Sequence, residues 1–231
     1  MPDTAFIRPG HRQVHDMLAR LDSVFLSRAR CFFGGGTRIV LELGEYRESR
    51  DIDFLCSDRD GYRLLRESAS ETSLGPILSS GLSLARGVRA DQYGIRTFIE
   101  HDGNKLKFEI VQEARIEVNG ETIAGIPVAC LTRRHCFAEK FLANADRGLD
   151  TSTLSRDIVD LAFMIEGWSS QDAQVGMAMA KRAYGDSVPR SLAAVTRKMR
   201  EDTIYRSRCV EGLAISETKI LSAGIKALAA F

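Results

Sequence analysis

The chain has 231 residues, 44% hydrophobic and 27% charged, and 32 basic side chains against 31 acidic ones leave a formal net charge of +1. That length fits one large domain or two small ones with a real core, and the balance excludes a disordered or membrane-like chain while neither demanding nor excluding a nucleic-acid partner. No apolar run approaches the roughly 20 residues that a bilayer span needs, and MPDTAFIRPGHRQVH has no apolar signal-peptide centre, so a cytoplasmic protein with no membrane association is expected.

In chain order, residues 12–29 place Val14, Leu18, Leu21 and Phe25 at helical spacing and predict an amphipathic helix leading into a short strand, Cys31 to Phe33. Three glycines stop that strand. Thr37 to Gly44 resumes a helical pattern that Gly44 is placed to end. After a charged loop, Asp51 to Cys56 alternates as a strand does, and a helix follows from about Gly61 to Ser70. Strands are predicted at Leu82–Val88, Ile95–Glu100 and Lys105–Val111, the last two joined through a turn at HDGN. Asn119-Gly120 predicts a further hairpin between RIEV and ETIAGI.

The texture changes near Thr132. From there to Phe231 the strand signal fades and Pro189 is the one proline, with helices expected at 132–146, 153–166, 171–183, 188–200 and 211–229. The expectation is therefore an α+β fold in two parts: a mixed sheet with flanking helices over 1–131, then a helical bundle over 132–231. Five scattered cysteines (Cys31, Cys56, Cys130, Cys136 and Cys209) form no CxxC pair, and the four histidines form no HExxH. Buried thiols are expected, and no structural zinc.

The informative stretch is FFGGGTRIVLELGEYRESRDIDFLC, from Phe32 to Cys56. On a strand, Asp51 and Asp53 project from one face while Ile52 and Phe54 face the core. Two carboxylates side by side repel unless cations or donors neutralise them, and a pair of Mg²⁺ ions, with Mn²⁺ as the alternative, suits such oxygen ligands. Upstream, glycine lets a phosphate approach the backbone closely. Thr37 opens a helix whose free N–H groups and dipole favour an anion, and its hydroxyl adds a donor. Gly35, Gly36 and Thr37 are thus the expected triphosphate cradle and Asp51 and Asp53 the expected metal ligands, an arrangement suited to nucleotidyl transfer. Arg47 and Arg50, in the loop between, are candidate phosphate contacts. The bland reading is a turn followed by a half-buried strand with a polar face.

Gly35-Gly36-Thr37 followed by Asp51-Ile52-Asp53 resembles the signature of polymerase-β-type nucleotidyltransferases. The run Arg47 to Phe54, RESRDIDF, is similar to the AbiEii/AbiGii-type toxin branch. The resemblance implies a minimal nucleotidyltransferase fold followed by a helical domain, an NTP substrate and a cognate antitoxin. It also implies a third carboxylate on a neighbouring strand, for which LKFEIV supplies Glu109 as a metal ligand, with Lys107 on the same face. In the helical part, Lys140, Arg147, Arg156-Asp157 and Asp160-Leu161 are similar to that branch's lysine-bearing helix and R-D-x-x-D-L element. On that likeness Lys140 neutralises charge on the transferring phosphate, while Asp157 orients the lysine or acts as a base. The bland reading is surface ion pairing between neighbouring helices. The implied activity is transfer of a nucleoside monophosphate to an acceptor hydroxyl on tRNA or protein. The alternatives are a small-molecule acceptor of aminoglycoside type and a degenerate, non-catalytic nucleotide-binding module.

Overall fold

The structure, a computed structural model, describes residues 6–79 and 81–231. It is a mixed α+β fold of two compact units. The first comprises the chain up to Leu41 and Ser49–Thr132, and the second takes Arg133–Phe231 together with the short segment Glu42–Glu48.

The first unit opens with α1 (Pro9–Leu18) and α2 (Ser23–Arg28), where a single helix was expected. Two local interactions account for the break. Leu21 pairs with Leu78 as an isolated bridge, and the Asp22 carboxylate accepts the Phe25 N–H at 2.8 Å, capping α2. Then follow β1 (Phe32–Phe33), α3 (Gly35–Glu42), β2 (Ile52–Cys56), α4 (Arg59–Ser68), β3 (Ser83–Leu84), β4 (Arg89–Ala90), β5 (Gly94–His101), β6 (Asn104–Gln112), β7 (Gly120–Glu121) and β8 (Cys130–Leu131). They form one mixed sheet ordered β3-β5-β6-β2-β1-β8-β7, with β4 pairing on β5. The central pair β2 and β6 is parallel; β1 runs antiparallel to β2, and β5 antiparallel to β6.

The β5–β6 hairpin turns at Asp102 and Gly103, with φ of 48° and 76°. Two successive left-handed residues make the tight turn that HDGN predicts. No hairpin forms around Asn119-Gly120. Instead β7 pairs with β8, Gly120 opposite Leu131, and a side chain at Gly120 would meet the Phe32 ring. Phe33, Phe54 and Phe108 meet in tilted ring contacts across three strands with centroids 5.7 and 5.8 Å apart, anchoring a core continued by Ile52, Ile110 and Cys130. All five cysteines are buried thiols.

The second unit is helical: α5 (Arg133–Arg147), α6 (Arg156–Gly167), α7 (Ser170–Tyr184), α8 (Ser187–Glu201), α9 (Thr203–Gly212) and α10 (Thr218–Leu228). Helix α10 crosses α6 at Gly224, where a Cβ would fall 2.1 Å from the Ala162 carbonyl oxygen, so only glycine permits that approach. The helix expected at 211–229 is divided between α9 and α10. The intervening loop bonds to the 42–48 segment instead of continuing helical, Glu48 N–H donating to Leu213 O and Ser216 N–H to Tyr46 O.

Candidate active site

The glycine turn and the paired aspartates meet at the end of β1. Gly34 donates its N–H to the Asp53 carbonyl at 2.8 Å. Gly35 then takes φ of +67°, a left-handed conformation, and a Cβ placed there would lie 2.5 Å from Asp53 Oδ2. The Asp53 carboxylate therefore lies directly against the glycine that opens α3. The first N–H groups of a helix have no partner within it and carry the positive end of its dipole, so an anion-attracting edge lies beside a carboxylate.

Thr37 is only 1% exposed, and its hydroxyl sits 2.8 Å from Ser49 Oγ. It fastens α3 to the segment entering β2, which in turn donates the Ser49 N–H to His11 Nε2. The expected hydroxyl donor to phosphate is thus buried against a second hydroxyl, either of which can donate to the other, and the turn presents backbone N–H groups beside it. Arg50 is exposed.

On β2, Ile52 and Phe54 are fully buried, while Asp51 and Asp53 are partly exposed on the other face. The parallel register sets Asp53 against Glu109 on β6, with Asp51 and Lys107 each two residues earlier, just ahead of the first register pair of Ile52 with Phe108. On the far side of β6, Arg96 of β5 is the register partner of Glu109. The result is a short row, Arg96–Glu109–Asp53, with Lys107 beside it. Glu109 Oε1 accepts from Arg96 Nε at 2.6 Å, and Oε2 accepts from Lys107 Nζ at 2.5 Å. Burial raises the Glu109 pKa, but Lys107 and then Arg96 outweigh it and hold the carboxyl below its usual range. Burial likewise disfavours the Lys107 ammonium, yet Glu109, Asp53 and Asp51 together hold it above its usual value. Carboxylates on adjacent strands, about 5 Å apart, repel by roughly 3 kcal/mol at an effective dielectric near 20. The two cations offset that repulsion.

The sequence resemblance brings divalent metal into question, and the residues fit it in part. Asp51 and Asp53 are hard oxygen donors of the sort Mg²⁺ takes, and the glycine beside Asp53 keeps side-chain bulk away. Glu109 does not fit as a third ligand in this arrangement, because both its oxygens are held by side-chain cations. Among the described residues no group of three or more His, Cys, Asp or Glu side chains is arranged to hold a metal ion.

The remaining expected residues gather in the second unit. Asp157 and Asp160, one turn apart on α6, are 2% and 0% exposed. Lys140 Nζ donates to Asp157 Oδ1 at 2.9 Å and pairs with Asp160 Oδ2 at 2.6 Å. Arg147 makes a bidentate pair with Asp157 (2.7 and 3.0 Å), and Arg47 a bidentate pair with Asp160 (2.7 and 2.8 Å). Tyr46 completes the cluster, its hydroxyl donating to Asp160 Oδ1 at 2.6 Å and its ring stacking on Phe163 at 3.8 Å. Arg47 is therefore not the exposed loop arginine expected from its charged surroundings. It is 4% exposed and committed to Asp160, because a buried guanidinium needs a carboxylate. Lys140, 6% exposed, is likewise a buried cation clasped by two aspartates.

Two participants escaped the sequence reading, Arg96 and Tyr46. Arg96 was legible in principle: a two-residue turn at Asp102-Gly103 pairs His101 with Asn104 and, counting back, Arg96 with Glu109. Nothing in the local pattern marked Tyr46.

A mixed sheet that sets a glycine turn and helix start against an aspartate pair defines the nucleotidyltransferase class of fold. Two solved structures share it at low identity. One is a crystal structure from H. pylori provisionally described as a nucleotidyltransferase, with TM-score 0.52, 15% identity, and 95% of this chain and 93% of that chain covered. The other is JHP933 from Helicobacter pylori, with TM-score 0.52, 16% identity, and 95% and 90% covered. Among curated proteins none matches the chain. The family model for the nucleotidyl transferase AbiEii toxin of type IV toxin–antitoxin systems matches residues 16–212. The chain belongs to this AbiEii family, and it is a nucleotidyltransferase.

Proposed function

We propose that the chain transfers a nucleoside monophosphate from an NTP to an acceptor hydroxyl on tRNA or protein, releasing pyrophosphate, as the toxin of a pair with a cognate antitoxin. The observation that carries this reading is the seating of the Asp53 carboxylate against left-handed Gly35 at the start of α3. One small volume then offers backbone N–H groups to a triphosphate and carboxylates to its counter-ions.

In this reading Gly35 and Gly36 hold the triphosphate by their N–H groups, with Arg50 at the exposed side, and Thr37 fixes the turn through Ser49. A divalent cation, Mg²⁺ or Mn²⁺, held by Asp51 and Asp53 supplies charge neutralisation at the phosphates. The acceptor oxygen bonds to the α-phosphorus, the bond from that phosphorus to the bridging oxygen breaks, pyrophosphate leaves, and the hydroxyl proton passes to water. Positioning and electrostatic stabilisation supply most of the rate. A second ion shared with Glu109, as the sequence suggests, would require Arg96 and Lys107 to release it. Lys140, Asp157 and Arg47 act by bracing α6 and the 42–48 segment.

The test is incubation with each α-³²P-labelled NTP, Mg²⁺, total tRNA and a protein fraction, beside Asp51→Ala and Asp53→Ala. Label is expected on RNA or protein and should drop by roughly 10²–10³-fold in either variant. Label on an added aminoglycoside instead would assign a small-molecule acceptor. Failure of the wild-type chain both to label and to bind NTP would sink the transferase reading in favour of a degenerate module.

A further inference from the structure

The acidic face of the sheet carries a cation of its own. Lys107 lies two residues before Glu109, the register partner of Asp53, its Nζ is 2.5 Å from Glu109 Oε2, and its charge acts on Asp53 and Asp51 as well as on Glu109. Arg96 holds the other Glu109 oxygen from β5, so Glu109 is fixed by a cation on each of its oxygens. The lysine side chain is 40% exposed and Glu109 only 15%, so Lys107 reaches the site from its solvent side, where ions and phosphates arrive.

We propose that Lys107 is a resident cation of the active site, standing where a second divalent ion would otherwise neutralise Asp51 and Glu109, so that the chain loads one divalent ion with its nucleotide, not two. The proposal rests on the nucleotidyl-transfer reading. A pair of metal ions in such sites lies about 3.5–4 Å apart, bridged by shared carboxylates. Here the third carboxylate already holds an ammonium whose charge also acts on the two aspartates. Lysine is a compact point charge on a flexible stem, and it matches a metal ion in charge placement, though it cannot accept ligands. Glu109 thus becomes a positioning residue that aims Lys107, with Arg96 fixing Glu109 in turn.

The experiment counts Mn²⁺ retained per chain by equilibrium dialysis with a non-hydrolysable NTP analogue. In parallel, electron paramagnetic resonance distinguishes isolated Mn²⁺ from a spin-coupled pair. Wild type and Lys107→Arg are expected to retain one uncoupled ion, and Lys107→Met two coupled ions. If Lys107→Met fails to fold by circular dichroism, Lys107→Gln, which removes only the charge, serves the same comparison. Two coupled ions in the wild type, or one ion in the charge-removing variant, would overturn the proposal while leaving nucleotidyl transfer intact. No Mn²⁺–nucleotide retained by the wild type would overturn the transferase reading itself, and this inference with it.

Discussion

Each unit of the chain holds a pair of aspartates beside a lysine, and the two pairs meet opposite fates. Asp157 and Asp160 sit on a helix at less than 3% exposure, where Lys140, Arg147 and Arg47 engage them through paired, charge-assisted hydrogen bonds. Asp51 and Asp53 sit on a strand with one face open, and the nearby cations Arg96 and Lys107 spend their hydrogen bonds on Glu109. The same residue types thus make a brace where burial forces complete pairing. On a half-open sheet they make a site able to exchange its counter-ions. A buried ion cannot trade its partner for water without a large desolvation cost, whereas a half-exposed one can.

The sharpest way to break this contrast is to make the same substitution in both places. Removing one partner of a buried pair strands the others, so Asp160→Ala, which orphans Arg47 and the Tyr46 hydroxyl and leaves Lys140 with Asp157 alone, is expected to cost roughly 3–5 kcal/mol of stability. Asp51→Ala should stay within about 1 kcal/mol of wild type while lowering transfer by roughly 10²–10³-fold, because its loss also relieves repulsion between neighbouring carboxylates. Urea unfolding of the two variants side by side decides it. Equal destabilisation would mean that the sheet pair is structural too.

A smaller effect is expected at Gly35, where the two requirements of the site coincide. Alanine there must hold a left-handed backbone, at about 1–3 kcal/mol, and its Cβ must push the Asp53 carboxylate aside from 2.5 Å. Gly35→Ala should therefore fold, with modest loss of stability, yet bind Mn²⁺–NTP far more weakly than wild type in calorimetric titration. Unchanged nucleotide affinity would show that the contact between glycine and carboxylate is packing alone.

How much of this was legible beforehand follows from sequence distance. The glycine turn and the aspartate pair lie within one short stretch, and strand alternation alone places Asp51 and Asp53 together. The HDGN hairpin and the helical texture after Thr132 are equally local. Arg47 was misplaced because its partner, Asp160, stands 113 residues on. A charged loop reads as solvated until tertiary packing closes over it. Thr37 was read as an open donor for the same reason, since Ser49 meets it only once α3 and the entry to β2 are folded together. The long helix expected at 211–229 failed because hydrogen bonds from the 42–48 segment capture its middle, and local propensity carries no trace of them.

The mildest perturbation is pH, which separates the two groups of acids without changing a residue count. Burial alone would raise Asp157 and Asp160. Lys140 and Arg147 outweigh it for Asp157, as Arg47 and Lys140 do for Asp160, and both carboxyls are held below their ordinary range. A depressed folded pKa gives stability that is fully present above the unfolded value, near 3.9, and is lost as pH falls through the folded value. For Lys140 burial opposes the charge, but Asp157 and Asp160 raise it above its ordinary value. Its contribution is therefore fully present below about 10.4 and is lost as pH rises through the folded value. The stability gap between wild type and Asp157→Asn should accordingly be flat from about pH 5 to 9. It should close on the acid side, where the wild-type carboxyl becomes as neutral as the amide. Glu109 titrates in the same direction, but it is present in both proteins and cancels in the difference. A gap that stayed constant down to about pH 2 would mean that Asp157 draws nothing from its charge, and the buried cluster would then be a matter of shape and hydrogen bonds alone.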